Sequence, residues 1–269
     1  MATTHAAASV RRDSIVAVRR IDSGDLRQAL RDGWQDFLQF RGDLIFAGLL
    51  YPLIGLVAAT IMLRGPLLHL FFPIAGGIAL LGPLVAIGFY ELARRREEGL
   101  ESGWAHFLDV RQRPTAPEIG MMAGLLITVF AMWIAVAAGL YTVLWGGIPP
   151  SSIGGFVSRL FTTPEGWALI LIGNAVGLAF AYFVLATSAI SLPMLVDRNV
   201  SARTAIRTSL RAFRTNPAMM SRWGLTILVW LAIGSIPFFL GLAVVLPWLG
   251  YSTWHLYTRV VDRTALSGS

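Results

Sequence analysis

Long apolar runs alternate with short polar segments along the whole chain, and the runs have bilayer length. A helix that crosses a bilayer needs ~20 mainly apolar residues. The stretches 44–63, 66–90, 119–145 and 167–195 each satisfy this. From Trp223 to Tyr257 the chain stays apolar long enough to cross twice, with a tight turn near Pro237 to Gly241. The pattern therefore predicts six spans, the last two at about 219–239 and 241–259. Thr115 to Glu118 (TAPE) and Thr162 to Glu165 (TTPE) each set a Thr three residues before a Glu, with Pro between. That is a capping-box signature for the starts of the third and fourth spans.

Polar lead-ins precede alternate spans and share a phrase. Ala29 to Phe37 reads ALRDGWQDF, Gly99 to Phe107 reads GLESGWAHF, and Ala205 to Phe213 reads AIRTSLRAF. On a helix, Leu30, Trp34 and Phe37 fall at i, i+4 and i+7, on one face. Leu100, Trp104 and Phe107 do the same in the second copy, and Ile206, Leu210 and Phe213 in the third. Arg31, Asp32, Gln35 and Asp36 fall on other faces. In the third copy the opposite face carries Arg203, Arg207, Arg211 and Arg214. The small residue at the fifth position (Gly33, Gly103, Ser209) removes bulk and lets the helix approach its own hairpin. Each copy predicts an amphipathic helix lying along the membrane surface. The unit is then one interfacial helix plus one transmembrane hairpin, used three times in parallel. Such repeats imply a pseudo-threefold axis along the membrane normal. The plainer reading is that any multi-span chain needs amphipathic lead-ins. The expected organisation is a flexible cytoplasmic tail over 1–22, one membrane domain over 23–263, and a flexible tail over 264–269.

Composition agrees with lipid as solvent: 55% of the residues are apolar and 14% charged, more apolar surface than a soluble chain of this size can hide. The first twenty residues do not read as a signal peptide, because their apolar stretches are short and interrupted by Arg. There is no cysteine, which excludes disulfides and thiolate sites. All 22 basic residues are Arg. Twenty of them fall on the side of the termini, and only Arg64 and Arg159 on the other. This positive-inside bias predicts cytoplasmic N- and C-termini in a bacterial inner membrane. The net charge of +7 is then an orientation and lipid-headgroup feature; no nucleic-acid motif accompanies it.

Candidate chemistry is sparse. Of four histidines, His69 stands near the outer end of span two, His255 near the inner end of span six, His106 in the second lead-in and His5 in the tail. None has metal-ligand spacing, and no metal or cofactor is expected. Intramembrane ionisable groups mark functional sites by default. Here Glu91, Asp197 and His255 end spans two, four and six at comparable depth. They form a candidate polar cluster at the cytoplasmic mouth, within reach of Arg94, Arg198 and Arg259, or else serve as helix-end anchors. Asn174 is the clearest polar residue deep in a span. It lies among Gly173, Gly177 and Ala181, a spacing that lets helices touch and an amide bond across the contact. Prolines 52, 73, 83, 193, 237 and 247 interrupt the spans. No phosphate loop, nucleophile elbow, zinc motif or hydrolase carboxylate pair is present, so no catalytic residue is expected.

Several phrases together resemble a known family. GWQDFLQFRGDLIFAGLLYPLIG (33–55), GPLVAIGFYELARRRE (82–97), LIGNAVGLAFA (171–181), SLPMLVDRNVSARTAIRTSL (191–210), NPAMM (216–220) and LPWLGYSTWHLYTRVV (246–261) occur in this order. The chain resembles the bacterial integral-membrane family called domain of unknown function 2189, from about residue 25 to 263. The resemblance implies a six-span inner-membrane protein and no particular reaction. Relatives carry Gly-His-Ala-Thr-Trp-His where this chain has Gly250-Tyr251-Ser252-Thr253-Trp254-His255, so Tyr251 replaces a histidine. Some relatives carry a label linking them to cytochrome oxidase subunit I. That label implies an oxidase-associated role, although a haem-copper subunit has twelve spans and several core histidines.

The reading is therefore an all-α polytopic membrane protein, non-enzymatic, that interacts with or helps assemble membrane components. Its expected partners are anionic headgroups at the Arg-rich face and another membrane protein, not nucleic acid. The alternative is a small-molecule or lipid permease, with a polar passage ending near Glu91, Asp197 and His255. A third is the oxidase-associated protein.

Overall fold

The computed structural model describes residues 16–39, 56, 60, 68–237 and 239–263, which are almost wholly helical. Helix α1 covers 23–39. A 3-10 turn at Leu68–Leu70 leads into α2 (Phe71–Leu80) and α3 (Gly82–Glu97). Two more 3-10 turns, Trp104–His106 and Asp109–Gln112, precede α4 (Ala116–Trp145). Then come α5 (Ile153–Thr162), α6 (Pro164–Ser188), α7 (Ser191–Asp197), α8 (Ala202–Thr215), α9 (Pro217–Ser235) and α10 (Leu242–Val260).

Prolines set several of the breaks. Pro83 lies in the first turn of α3, where a missing N–H costs nothing. Pro193 has no N–H for the Ala189 carbonyl, and α6 stops one residue before that position. Around this break the hydroxyls of Thr187, Ser188 and Ser191 each donate to the carbonyl four residues back, at 2.6–2.7 Å. Polar side chains are thereby satisfied without water.

Four helical stretches among the described residues are long and apolar enough to cross a bilayer: Leu68–Glu97, Ala116–Trp145, Pro164–Asp197 and Pro217–Ser235. The expected first span, 44–63, lies outside the described residues except for 56 and 60. The expected sixth is a helix, α10, but its second half carries Ser252, Thr253, His255, Thr258 and Arg259 and is too polar to join the four. The stretch 167–195 holds the break between α6 and α7, and 219–239 ends as helix at Ser235.

The four stretches turn their apolar side chains outward. Only 6% of the most apolar window of Pro164–Asp197 is buried, and Leu171, Leu178, Leu225 and Leu228 all lie more than half exposed. Water would not tolerate that much exposed apolar surface; acyl chains do. The dense core sits at one end of the bundle instead, where α3, α7, α8 and α10 finish or start. There Trp223, Trp254, Tyr251, Tyr257, Leu92, Ile190, Leu192 and Met194 are fully buried. We call this the Arg-rich end. A small second cluster, Leu68, Tyr141, Trp145 and Phe156, closes the opposite end. It includes Phe156 of α5, in a segment for which the apolar pattern predicts no span. Arg159 of α5 stands 4.4 Å over the Trp145 ring.

The lead-ins differ from the surface helices expected. The first copy is helical within α1, but Gly33 packs on α10 rather than on its own hairpin. A Cβ there would sit 2.5 Å from the Ser252 backbone nitrogen. Phe37 is buried, Leu30 half-buried and Trp34 exposed, while Asp36, expected on a polar face, is buried. The second copy is not an α-helix. Gly99 adopts φ +69° and ends α3, and Gly103 is extended, so only the turn Trp104–His106 forms. Leu100 and Trp104 are exposed, and Phe107 packs edge-on against Phe89 of α3, with centroids 5.0 Å apart. The third copy is α8. Its small face (Ala202, Ala205, Ser209, Ala212) is the buried one. Ile206, Leu210 and Phe213 are half-buried at its flank, so they do not form a free acyl-facing stripe.

The cap signals also act at long range. Thr115 makes no cap bond; its hydroxyl donates to the Leu195 carbonyl at 2.7 Å. Glu118 accepts from the Ala202 N–H at 2.7 Å, so a residue of α4 caps α8. Thr163, not Thr162, caps α6 by accepting from Gly166 N–H at 3.0 Å.

The tail expected over 1–22 is ordered in its second part. Val18 pairs antiparallel with Val261, through Arg19 N–H to Val260 O (2.8 Å) and Asp262 N–H to Ala17 O (3.0 Å). Asn216 accepts from Ile21 N–H and donates to Arg19 O. These buried partners outweigh the polar composition of the segment. Residues 1–15 and 264–269 lie outside the described residues.

Candidate functional site

The core of the Arg-rich end is threaded by ion pairs, and the elements that supply them are the ones just described. The last two turns of α3 carry Glu91, Arg94, Arg96 and Glu97, and Glu98 caps its end. At one side, Arg94 binds Glu91 through two contacts, 3.1 and 2.6 Å, and also pairs with Glu98. Glu91 is 1% exposed, and Arg113 approaches it at 3.7 Å. Burial first, and then the neighbouring Arg94 charge, bring the Arg113 pKa below its ordinary value.

A second group joins α1, α3 and α10. Asp36 pairs with Arg96 and with His255 Nε2, the latter at 2.8 Å. One turn along, Asp32 pairs with Arg259 at 2.7 Å, and Arg259 also donates to the His255 carbonyl at 3.1 Å. The i, i+4 spacing of Asp32 and Asp36 puts both on the side of α1 that faces α10.

A third group joins α3, α7 and α10. Asp197 accepts from the Tyr257 hydroxyl at 2.7 Å, pairs with Arg198 at 3.1 Å and lies 3.8 Å from Arg263. Glu97 pairs with Arg263 and accepts from Trp254 Nε1 at 3.2 Å. Burial works against the Arg263 charge, but the hydrogen bond and charge of Glu97 outweigh it and raise its pKa.

The three residues proposed as a polar cluster thus fall in three neighbouring groups. Glu91 has Arg94 and Asp197 has Arg198, as anticipated. The ring of His255 turns to Asp36, and Arg259 reaches only its backbone. Asp36 and Glu97 were missed. The signal for Asp36 was its register with Leu26, Ala29 and Gly33 on α1; Glu97 gave none apart from following an Arg run. Chemically, each carboxylate here is held by arginine, histidine or both, an arrangement that staples helices together. Among the described residues, no group of three or more His, Asp or Glu could hold a metal ion. Among the described residues, the buried side-chain atoms without a partner are Arg113 Nε, Trp145 Nε1, Trp223 Nε1 and the Tyr251 hydroxyl.

Among the described residues, Asn174 makes no bond across a helix contact. It is exposed, and its amide donates to Ile170 O of its own helix at 2.7 Å. Gly177 does approach α4, with Trp133 3.2 Å from an added Cβ, but Gly173 faces open space. In lipid an amide that meets no neighbour satisfies itself on its own helix. His69 stacks on Tyr141, centroids 4.3 Å apart, at the opposite end from His255. His106 lies 2.7 Å from Asp109, which also pairs with Arg95.

Comparison with known proteins gives one family. Residues 71–197 match the model described as Predicted integral membrane protein (DUF2189). The resemblance expected from the sequence is borne out over α2 to α7, a shorter stretch than 25–263. No curated protein and no solved structure matches the chain.

Proposed function

We propose, from a chain whose residues 71–197 match a family of predicted integral membrane proteins, that it is a non-enzymatic interaction or assembly component of the bacterial inner membrane. The observation that carries this reading is the character of the Arg-rich end. Its interior charges are matched and its centre is filled by Tyr251, Trp254 and Tyr257. What it offers outward is a cationic face: Arg203, Arg207, Arg211 and Arg214 are all exposed along α8. A filled centre supports an interaction role over a permease. Exposed arginines suit anionic headgroups or an acidic partner.

The same proposal includes topology. Helix α1 stands at the Arg-rich end and Leu68 at the opposite end, and 44–63 is apolar enough to join them. With α10 this makes six crossings with cytoplasmic termini. The three lead-ins each dock on the helix that ends the preceding pair: Phe107 on α3, α8 on α6 and α7, and α1 on α10. That cyclic order supports the threefold plan.

The test is affinity purification from native membranes in mild detergent, quantified against an untagged control. A stoichiometric partner retained by the wild type and lost in the Arg203→Glu/Arg211→Glu chain is expected. A protein that purifies alone sinks the reading.

A further inference from the structure

One face of the bundle holds a groove that the ionic network does not touch. It lies between α1, α9 and α10 and is lined by Leu30, Trp34, Trp230, Val244, Val245 and Trp248, with exposed Arg31 beside them. It is an open groove of about 470 Å³. Three indoles build its wall. Trp34 and Trp230 both meet Trp248 edge-on, with centroids 5.4 and 4.6 Å away. Trp248 Nε1 is already spent on the Leu30 carbonyl at 2.9 Å. The lining is almost entirely apolar.

The exposed stripe of α1 runs from charge to grease. Arg27, Arg31, Trp34 and Leu38 fall at i, i+4, i+7 and i+11, and all four are exposed. The arginines of the interior network are paired. Arg27 and Arg31, by contrast, hold no hydrogen bond or ion pair among the described residues. We propose that this groove is a binding site for one anionic phospholipid, with its phosphate on Arg27 and Arg31 and an acyl chain along Trp34, Trp230 and Trp248. Trp34, one turn from Arg31 on the exposed side of α1, combines an indole and a cation as a lipid's polar–apolar boundary selects, while Trp230 and Trp248 continue the wall into the apolar part of α9 and α10. A peptide laid in the groove would bury backbone polar groups against walls with nothing to offer them. An acyl chain has no such need. The site is separate from the α8 face, so it stands or falls independently of the assembly reading.

The experiment uses the full chain in mild detergent, titrated with dibrominated phosphatidylglycerol or dibrominated phosphatidylcholine while tryptophan fluorescence is followed. Bromine on the acyl chain quenches an indole it touches. Phosphatidylglycerol is expected to quench saturably at low mole fraction, and phosphatidylcholine only at much higher amounts. Trp34→Phe/Trp230→Phe should remove most of the saturable amplitude. Arg27→Gln/Arg31→Gln should shift the midpoint by about fivefold per arginine. Because both arginines are exposed and unpaired, this variant keeps its helical circular dichroism. Superimposable curves for the two lipids overturn the proposal, as does a midpoint insensitive to the arginines. So does the absence of saturable quenching, which is the result if another segment or a second copy fills the groove.

Discussion

Position five of the repeated phrase is occupied by Gly33 and Gly103 in the first two copies, and the two glycines have opposite surroundings. A Cβ on Gly33 would lie 2.3–2.7 Å from Ser252, partly against backbone, which cannot move aside. Gly33→Val is expected to cost about 1–3 kcal/mol by overpacking. Gly103 has open space around it and an ordinary negative φ, so Gly103→Ala should change stability by less than about 0.5 kcal/mol. Thermal unfolding of both variants in the same detergent checks the pair. Equal effects would mean that α1 does not dock on α10 as described. Asp36 supplies a second residue-scale prediction. Asp36→Asn leaves Arg96 and His255 facing a neutral amide in a buried place, and should cost about 1–3 kcal/mol. The same change at Asp25, which is half-buried and bonds only its neighbour Asp22, should cost far less.

Helix α8 shows how much of an element's stability comes from elsewhere in the sequence. Its first turn is capped by Ser201, from the next residue back, and by Glu118, from α4. Removing Glu118 as Glu118→Ala should cost about 1–2 kcal/mol. Hydrogen exchange should show the loss at Ala202 and in the turn that follows, with the interior of α4 unaffected. Uniform loss of protection would mean instead that the residue supports the whole bundle. The same pair explains why Thr115 and Glu118 were misread. Their spacing is that of a local capping box, and spacing alone does not reveal that a helix 84 residues later competes for the carboxylate. The apolar stretches, by contrast, were legible because lipid imposes length and composition locally, residue by residue. The second lead-in was not, since its periodicity suits a helix but one glycine with positive φ sets its backbone. Pairings such as His255 with Asp36 join residues 219 apart, and no single-sequence pattern encodes them.

At the scale of the whole molecule, the described residues pack densely at one end and turn apolar side chains outward along the length between the ends. This division was invisible in the sequence, because the same leucines and valines serve a protein core or a lipid-facing surface. The orientation of the dense end is open to direct measurement. The chain contains no cysteine, so single replacements report without background. Glu101 and Ser152 are exposed at the Arg-rich and opposite ends, respectively. A membrane-impermeant maleimide applied to intact spheroplasts should label Ser152→Cys, and should label Glu101→Cys only after permeabilisation. The reverse pattern would place the Arg-rich end outside and refute the positive-inside reading.

The pairing of Val18 with Val261 has a consequence for biogenesis. Ala17, Val18 and Arg19 have their partners at Val260, Val261 and Asp262, and α1 docks on α10, far later in the sequence. At 5–20 residues per second, synthesis of the intervening chain takes roughly ten to fifty seconds. Throughout that interval the amino-terminal segment waits without its final neighbours, open to chaperones and proteases. Closure of the fold therefore waits until Val260 to Asp262 have been made, and until then the Ala17 carbonyl and the Arg19 N–H lack the partners they hold in the finished fold.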